Sequence, residues 1–414
     1  GHHGRRSGMP APMRAPRMPE WDAGTDAGTD SGSEDAGTDA GTGDAGIEDA
    51  GTEDAGTDAG TDAGTVDAGT DAGSDPCVTA SHDPKLGTLV LQTGFEAMES
   101  APLPSQVRAL TASPGPVYSL YAVRGSSPGT DAAMYSLGTW PDLQPSDTKL
   151  YDVVTPADRA GTAMVFPGGY MVHDGSRLFA GYTTSGMGFP GSVAVYDLGT
   201  PVSSTYVPAP GNFTAAAFSD GATTAFLVNG AGIGTTSGGL GIYALVTSAS
   251  PATTLKLANF PTGEAAASGF TAVAENGVAM FGFASSADFS NRARVVAPAV
   301  VAQALGTGTP VDLATQAQLD VGSDFNAASA FGSSVVLKRG AYDENFEFIS
   351  TDVSRYLVMP TNGGQSVLIG ERMPVLFFAD QCTSVVALEP LGSDLLVGVS
   401  DKNGRRLVRI RVTP

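Results

Sequence analysis

The chain has 414 residues and a formal net charge of −21, and residues 22–75 account for most of that charge, with 13 Asp, 3 Glu and no basic residue. Residues 76–414 carry only −8, without a basic stripe to neutralise phosphates, so nucleic acid is excluded as an expected partner. No apolar run approaches the roughly 20 residues that a membrane-spanning helix needs, so no transmembrane segment is expected.

Two low-complexity segments open the chain. Residues 1–21 mix proline, arginine and methionine, and proline at that density prevents helix and sheet. Residues 22–76 repeat Asp-Ala-Gly-Thr, with eleven Asp-Ala-Gly triplets. Such a segment can bury almost no apolar area, so we predict a disordered acidic tether, extended by like-charge repulsion. Repetitive calcium binding is the alternative, but a four-residue period supplies no preformed turn to hold the ligands.

The Asp-Ala-Gly-Thr run, followed by a cysteine and then an all-β region, resembles the linkers of surface lipoproteins and secreted proteins of predatory soil-dwelling Gram-negative bacteria. In those proteins a lipidated cysteine near the mature N-terminus precedes the linker, whereas no cysteine lies upstream of residue 22 here. The resemblance implies export and an extracellular or cell-surface location. It also implies that any outer-surface anchor belongs to a leader preceding Gly1.

The remainder, residues 77–414, repeats a strand, a glycine turn and a second strand. The clearest copy is Met171–Thr183, in which an Asp-Gly turn separates two hydrophobic runs. The turn glycines are 46 to 60 residues apart and comprise Gly115, Gly175, Gly221, Gly277, Gly332 and Gly392. Since four strands can be traced in most repeats, the sequence predicts an all-β fold, a six-bladed β-propeller.

The last repeat is one strand short. It ends with Arg405–Val412, while the N-terminal strand Thr88–Gln92 has no repeat of its own. We therefore predict that these two segments pair in the last blade and close the ring. The blurred stretch Val295–Leu313 leaves two alternatives open, a seventh blade or a short helix at Ala299–Leu305 that begins after Pro298. A pair of β-sandwiches is a further alternative, which leaves the first strand unexplained.

The chain contains two cysteines, Cys77 and Cys382. They precede the closing strand and the first strand of the last blade, so a disulfide between them would fasten the ring. The alternative is two unpaired thiols, one of them buried. Export favours the disulfide, because exported proteins retain such bonds.

The loops between the second and third strands are the expected ligand face of a propeller. The loop after the second strand of the fifth repeat is the most polar, and it could bind a sugar or a cation, or supply a carboxylate acid–base pair. The ligand-binding candidates are Arg339, Tyr342, Asp343 and Glu344, with Asp288 and Arg292 in the neighbouring loop. A solvated turn with its charges in water is the alternative reading of all six.

The sequence predicts no catalytic constellation, no cofactor and no metal site. Apart from the N-terminal pair, the only histidines are His82 and His173, too few for a Ser-His-Asp triad or a multi-histidine metal site. His173 falls at a hairpin turn, where we expect it to be exposed.

Three functional hypotheses remain. The first is a monomeric surface or secreted binding propeller that displays a site for a protein or glycan on the flexible stalk. The second is a secreted hydrolase or lyase that acts on carbohydrate through loop carboxylates. The third is a structural adhesion protein. A convergence of charged side chains at the channel would favour an enzyme, and a rim rich in small residues would favour binding.

Overall fold

The computed structural model describes residues 76–80, 82–185, 191–209, 214–230, 241–249, 252–261, 269–284, 291–319, 321, 325–342, 348–378 and 380–413. The predicted segment 1–21 and the predicted tether 22–76 lie outside these residues, except for Pro76. In the described part, no helix is long and apolar enough to cross a membrane.

The described residues form six mainly antiparallel sheets, which are the blades of a propeller. Helix α1 (Pro76–Thr79) and strands β1 (Leu89–Leu91) and β2 (Phe95–Pro102) come first. Blade one consists of β3 (Val107–Ala112), β4 (Ser119–Arg124), β5 (Ala133–Thr139) and β6 (Leu143–Asp152). After helix α2 (Pro156–Ala160), blade two consists of β7 (Met164–His173), β8 (Arg177–Ser185), β9 (Gly191–Asp197) and β10 (Ser203–Ala209). Blade three contains β11 (Thr214–Ser219), β12 (Thr224–Gly230), β13 (Gly241–Val246) and β14 (Thr253–Asn259).

The second half of the ring follows the same plan. Blade four consists of β15 (Gly269–Val273), β16 (Ala279–Ala284), β17 (Asn291–Val296) and, after helix α3 (Pro298–Thr307) and strand β18 (Val311–Asp312), β19 (Ala317–Leu319). Blade five is built from β20 (Phe325–Phe331), β21 (Ser334–Tyr342), β22 (Phe348–Thr361) and β23 (Ser366–Phe378). Blade six is built from β24 (Ser384–Leu391), β25 (Asp394–Asp401) and β26 (Gly404–Val412). Short 3-10 helices occupy Leu313–Thr315 and Asn362–Gly364.

The first strands of neighbouring blades contact one another around the whole ring, including β24 of blade six against β3 of blade one. Hydrophobic side chains fill the spaces between the sheets. Phe179 of blade two, for example, lies 4.2 Å from Phe226 of blade three, measured between ring centroids. Each such buried side chain stabilises the fold by roughly 1.5–3 kcal/mol. The predicted six-bladed propeller is therefore confirmed.

Tight glycine turns connect the first and second strands, as the repeat pattern predicts. Gly332 and Gly392 each begin a two-residue turn and have φ of 56° and 61°. Residues with a side chain adopt that backbone region at a cost. A Cβ at Gly392 would also collide with the hydroxyl of Tyr118 in blade one, so glycine serves both the turn and the packing.

The ring closes with an N-terminal strand in the last blade, but the predicted strand was wrong. β2 pairs with β26, in the register Phe95 with Val412 and Ala101 with Leu407. The earlier strand β1 pairs instead with β23, Leu89 opposite Phe378, as a fifth strand of blade five. Leu-Val-Leu has a stronger strand preference than the glutamate- and alanine-containing β2, so local propensity indicated the wrong segment. Two successive N-terminal strands thus join blades five and six.

Residues 295–313 contain helix α3, so the helix alternative is confirmed and no seventh blade occurs among the described residues. Pro298 is the first residue of α3, where its missing N–H is tolerated. Pro310–Leu313 does not supply the outer strand of blade four. Its central part, β18, pairs in parallel with β14 of blade three, and β19 takes the outer position in blade four.

A disulfide joins Cys77 to Cys382, with the two Cα atoms 5.0 Å apart. Beside it, the guanidinium of Arg406 donates to both carboxylate oxygens of Asp401, at 3.0 and 2.8 Å. His82 lies 3.3 Å from the same carboxylate. Burial would raise the pKa of Asp401, but the hydrogen bonds from Arg406 and from the Asn403 backbone outweigh burial and lower it. The segment before β1 is therefore held to blade six by a covalent bond and an ionic cluster.

Candidate binding site in the central channel

A cavity of about 400 Å³ runs along the inner strands of all six blades. Its volume lies within the range of roughly 300–1,000 Å³ that small-molecule sites occupy. Alanine, serine and threonine supply nearly half of the lining residues, and their small side chains leave the axis open where larger ones would fill it. Examples on five blades are Thr111, Ala217, Thr271, Ala328 and Ala387. The channel is therefore the best-formed candidate site in the described part of the chain.

Glu389 supplies a carboxyl group to this wall. It lies on β24, two residues before the strand ends at Leu391. Its carboxyl has no hydrogen bond or ion pair with any described residue. The side chain is partly exposed to the channel, and burial in the wall raises the pKa of Glu389 well above its ordinary value. The protonated acid is thereby favoured, and it can both donate and accept a hydrogen bond.

Ser329 occupies the equivalent position in the neighbouring blade. It lies on β20, two residues before that strand ends at Phe331, and β20 packs beside β24. The residue is only 5% exposed, and its Oγ has no hydrogen-bond partner among the described residues. β20 and β24 are each followed by a two-residue turn. Because Ser329 and Glu389 lie equally far from these turns, they lie at one level of the channel. Two lining residues on adjacent blades thus carry polar groups that have no partner among the described residues.

Three cationic side chains line the channel nearer the end where the inner strands begin. Lys338 on β21 is opposite Ala327 of β20, and its Nζ donates to the Val385 carbonyl at 2.8 Å. Arg108 is the second residue of β3, and its Nε donates to the Gly125 carbonyl at 3.0 Å. Arg405 lies near the start of β26. Burial lowers the pKa values of Lys338 and Arg405.

These three cations differ from most arginines of the fold. Arg177, Arg339, Arg406 and Arg409 each form an ion pair with an aspartate. No carboxylate of a described residue lies within ion-pair distance of the three channel cations. The described wall therefore combines three uncompensated cations with one buried carboxyl.

His173 is not exposed as the sequence predicted. It is the last residue of β7 and lines the channel at the end opposite the cations. Its Nδ1 accepts from the Gly175 N–H at 2.8 Å, and its ring lies 5.7 Å from that of Tyr121. Burial lowers the pKa of His173, and nearby Asp174 only partly opposes that effect. The neutral imidazole is consequently favoured.

Of the six ligand-binding residues predicted from the loops, Arg292 and Arg339 are not among the residues that line the described cavity. Arg339 near the end of β21 donates to both carboxylate oxygens of Asp352, at 3.0 and 3.1 Å, and Arg372 pairs with the same carboxylate. Tyr342 ends β21, and Arg292 is the second residue of β17. Asp288, Asp343 and Glu344 lie outside the described residues. A ligand-binding role for these six stays a prediction.

Sequence reasoning missed Glu389, Ser329, Lys338 and Arg405. One signal was present: Glu389 is the only charged residue in the apolar run Ser384–Leu391, and it directly follows the strand predicted at Ser384–Leu388. No group of three or more His, Cys, Asp or Glu among the described residues could hold a metal ion.

No protein-family model and no curated protein matches the chain. A protein of unknown function from Dyadobacter fermentans is 9% identical with a TM-score of 0.49, over 78% of this chain and 100% of that one. The exo-β-1,3-galactanase of Phanerochaete chrysosporium is 10% identical with a TM-score of 0.37, over 75% and 79%. The Trypanosoma rangeli sialidase is 9% identical with a TM-score of 0.40, over 78% and 60%. Similarity this distant carries no argument about activity, so the function is argued from the channel.

Proposed function

We propose that the protein is a secreted or cell-surface binding propeller that takes a small ligand into its central channel. The observation that carries the proposal is the pair Ser329 and Glu389, which line the cavity from neighbouring blades and whose polar groups have no partner among the described residues. Leaving a buried polar group unsatisfied costs about 1–3 kcal/mol. A ligand that hydrogen-bonds to both groups removes that cost, which gives binding a source of free energy.

The Cys77–Cys382 disulfide supports the proposed location, since such bonds persist in oxidising compartments. The acidic segment supports display. A flexible chain of its length has an r.m.s. span of roughly 40 Å, which like-charge repulsion increases. On this proposal it holds the binding domain away from its attachment point.

Carbohydrate hydrolysis is the second candidate, and the raised pKa of Glu389 favours it, because a general acid needs that property. Glycoside hydrolysis, however, generally uses two carboxyl groups about 5–10 Å apart. Among the described lining residues Glu389 is the only acidic one. Binding without turnover therefore fits the described wall better.

The test uses the full chain and a channel-filling variant. Ala217 is exposed to the cavity on β11, so Ala217→Trp fills the channel without entering the packed core. Ala222, exposed in the turn that follows β11, provides the control variant Ala222→Trp. Sugars, amino acids and nucleotides are screened by thermal shift, and hits are quantified by calorimetry. We expect A217W to weaken binding at least tenfold and A222W to leave it unchanged.

Two results would contradict this proposal. Binding that A217W leaves intact would place the ligand outside the channel and favour the adhesion hypothesis. Cleavage of a bound glycoside, abolished by Glu389→Gln, would establish the hydrolase alternative.

A further inference from the structure

We propose that the channel ligand is a small sugar acid, whose carboxylate is held by Lys338 and Arg405 and whose hydroxyl groups reach Ser329 and Glu389. This inference rests on the proposed function, because it requires that the channel binds a ligand at all. It adds the chemical class of that ligand and the wall sector that recognises it.

The charge of the channel wall favours an anionic ligand. Residues 76–414 carry a net charge of −8, yet the described channel wall holds three cations and a single carboxyl. Elsewhere aspartates neutralise arginines, as Asp394 does for Arg409 and Arg411. Lys338 and Arg405 are partly desolvated without such a counterion, which is why their pKa values are lowered. A bound anion would supply the missing charge, and charge-assisted hydrogen bonds are stronger than neutral ones.

Lys338 and Arg405 also retain N–H donors that no described residue uses. The Nζ of Lys338 uses one N–H for the Val385 carbonyl, and an ammonium group has two more. The guanidinium of Arg405 makes no hydrogen bond with a described residue. Two oxygens of one carboxylate can accept from both side chains. An alkyl or neutral hydroxyl group at that place would leave both charges uncompensated.

The cations and the neutral polar groups also lie in one part of the channel wall. Ser329 and Lys338 belong to blade five, and Glu389 and Arg405 belong to blade six, so one sector of the wall presents all four groups. Lys338 is opposite Ala327, two residues along β20 from Ser329. Two strand residues span about 7 Å. The ligand therefore needs an anionic end and hydroxyl groups several bonds away, which is the arrangement in a six-carbon sugar acid.

The rest of the wall agrees with a polar ligand of that size. The rest of the wall presents small side chains, such as Ala215 and Thr271, together with larger ones that include Tyr170, Met171 and Phe270. Thr271 is 5% exposed, and its hydroxyl lies 3.3 Å from that of Thr214. A cavity of about 400 Å³ holds one or two sugar units but no extended polymer.

The experiment titrates the full chain with D-glucuronate, D-glucose and inorganic phosphate by calorimetry. Glucose carries a hydroxymethyl group where glucuronate carries the carboxylate. Phosphate tests for an adventitious ion only. We expect glucuronate to bind at least tenfold more tightly than either. Its affinity should fall as potassium chloride rises from 50 to 500 mM, because chloride competes for the cations.

The variants are Lys338→Gln and Arg405→Gln, with Lys149→Gln as control. Glutamine keeps a donor for the Val385 carbonyl while removing the charge of Lys338. Lys149 pairs with Asp152 on β6 and is absent from the channel wall. Each channel variant should weaken glucuronate at least tenfold, and K149Q should leave it unchanged. If K338Q does not fold, R405Q and the salt titration of the wild type still test whether the channel cations bind glucuronate.

The failures of the two proposals are distinguishable. If glucose binds as tightly as glucuronate and A217W weakens that binding, the sugar-acid inference is overturned and the proposed function stands. Phosphate that binds as tightly as glucuronate would reduce the site to one for inorganic anions and overturn it too. Glucuronate binding that A217W does not alter would overturn both proposals, as would absence of channel-dependent binding by any probe.

Discussion

Glu389 links the candidate site to the stability of the fold. Burial raises its pKa in the folded protein, whereas the unfolded value is about 4.3. Below the unfolded pKa both states hold the proton, so the folded state bears no penalty. As pH rises toward the raised folded pKa, the unfolded chain releases the proton first. The free energy of unfolding then decreases by at most ~1.4 kcal/mol per pH unit.

We therefore predict that Glu389→Gln is more stable than the wild type at pH 8 and equally stable at pH 4. Glutamine has nearly the same shape and does not titrate, so the pH-dependent loss disappears with the carboxyl. Urea unfolding at both pH values measures the difference. Glu371→Gln, at an exposed position on β23, is the control and should show no such dependence. An E389Q stability difference that is the same at both pH values would contradict the explanation.

At this scale the sequence indicated only part of the site. Glu389 could have been chosen as a candidate site residue, because it is a lone glutamate in an apolar run. Ser329 and Lys338 could not, because one serine in an alanine-rich strand has no distinguishing pattern. Their significance comes from blades five and six meeting at the axis. The polar loop residues were favoured instead, because a charged residue in a loop is easily seen in a sequence whereas its ion-pair partner is not. Arg339, for example, forms an ion pair with Asp352.

The elements that secure the ring are the two N-terminal strands and the disulfide before them. Cys77 and Cys382 are 305 residues apart, so the bond closes nearly the whole domain into one covalent loop. A cross-link of this kind limits the unfolded chain more than the folded one, with a typical gain of about 2–4 kcal/mol. Asp401, held by Arg406, adds a buried ionic contact next to it.

We predict that the double variant Cys77→Ser/Cys382→Ser folds but unfolds at lower urea concentration, with a loss of about 2–4 kcal/mol. Changing both residues avoids an unpaired thiol and separates the bond from its chemistry. Wild-type protein unfolded in the presence of a reductant should match the variant. Equal unfolding midpoints for the wild type and the variant, without reductant, would show that the strand pairing alone holds the closure.

Local propensity located most of these elements and failed where pairing partners were distant. Turn glycines and hydrophobic runs marked the inner strands of all six blades. The identity of the closing strand was not encoded locally, because β1 has the stronger strand composition and β2 has the register with β26. β18 shows the same limit. Its two residues look like the continuation of blade four, yet they add to the edge of blade three.

For the whole molecule, the repeat count predicted the architecture because every blade needs its neighbours to bury both faces of its sheet. β24 of blade six contacts β3 of blade one, as the first strands of all other neighbouring blades contact each other. Every blade therefore has a neighbour on both sides. Val408 and Ile410 of β26 are fully buried, and β2 pairs with the strand that carries them. Loss of the closing strand therefore weakens the complete ring rather than one edge.

A deletion series tests this dependence. Removing residues 1–75 should leave the thermal midpoint unchanged, because every described contact of the domain remains. Removing residues 1–92 deletes β1 and the disulfide and should lower the midpoint while unfolding stays a single transition. Removing residues 1–102 also deletes β2, leaves the edge of β26 unpaired and should abolish the cooperative transition. Calorimetry follows all three. A cooperative transition that survives the last deletion would show that blades one to six hold together without the closing strand.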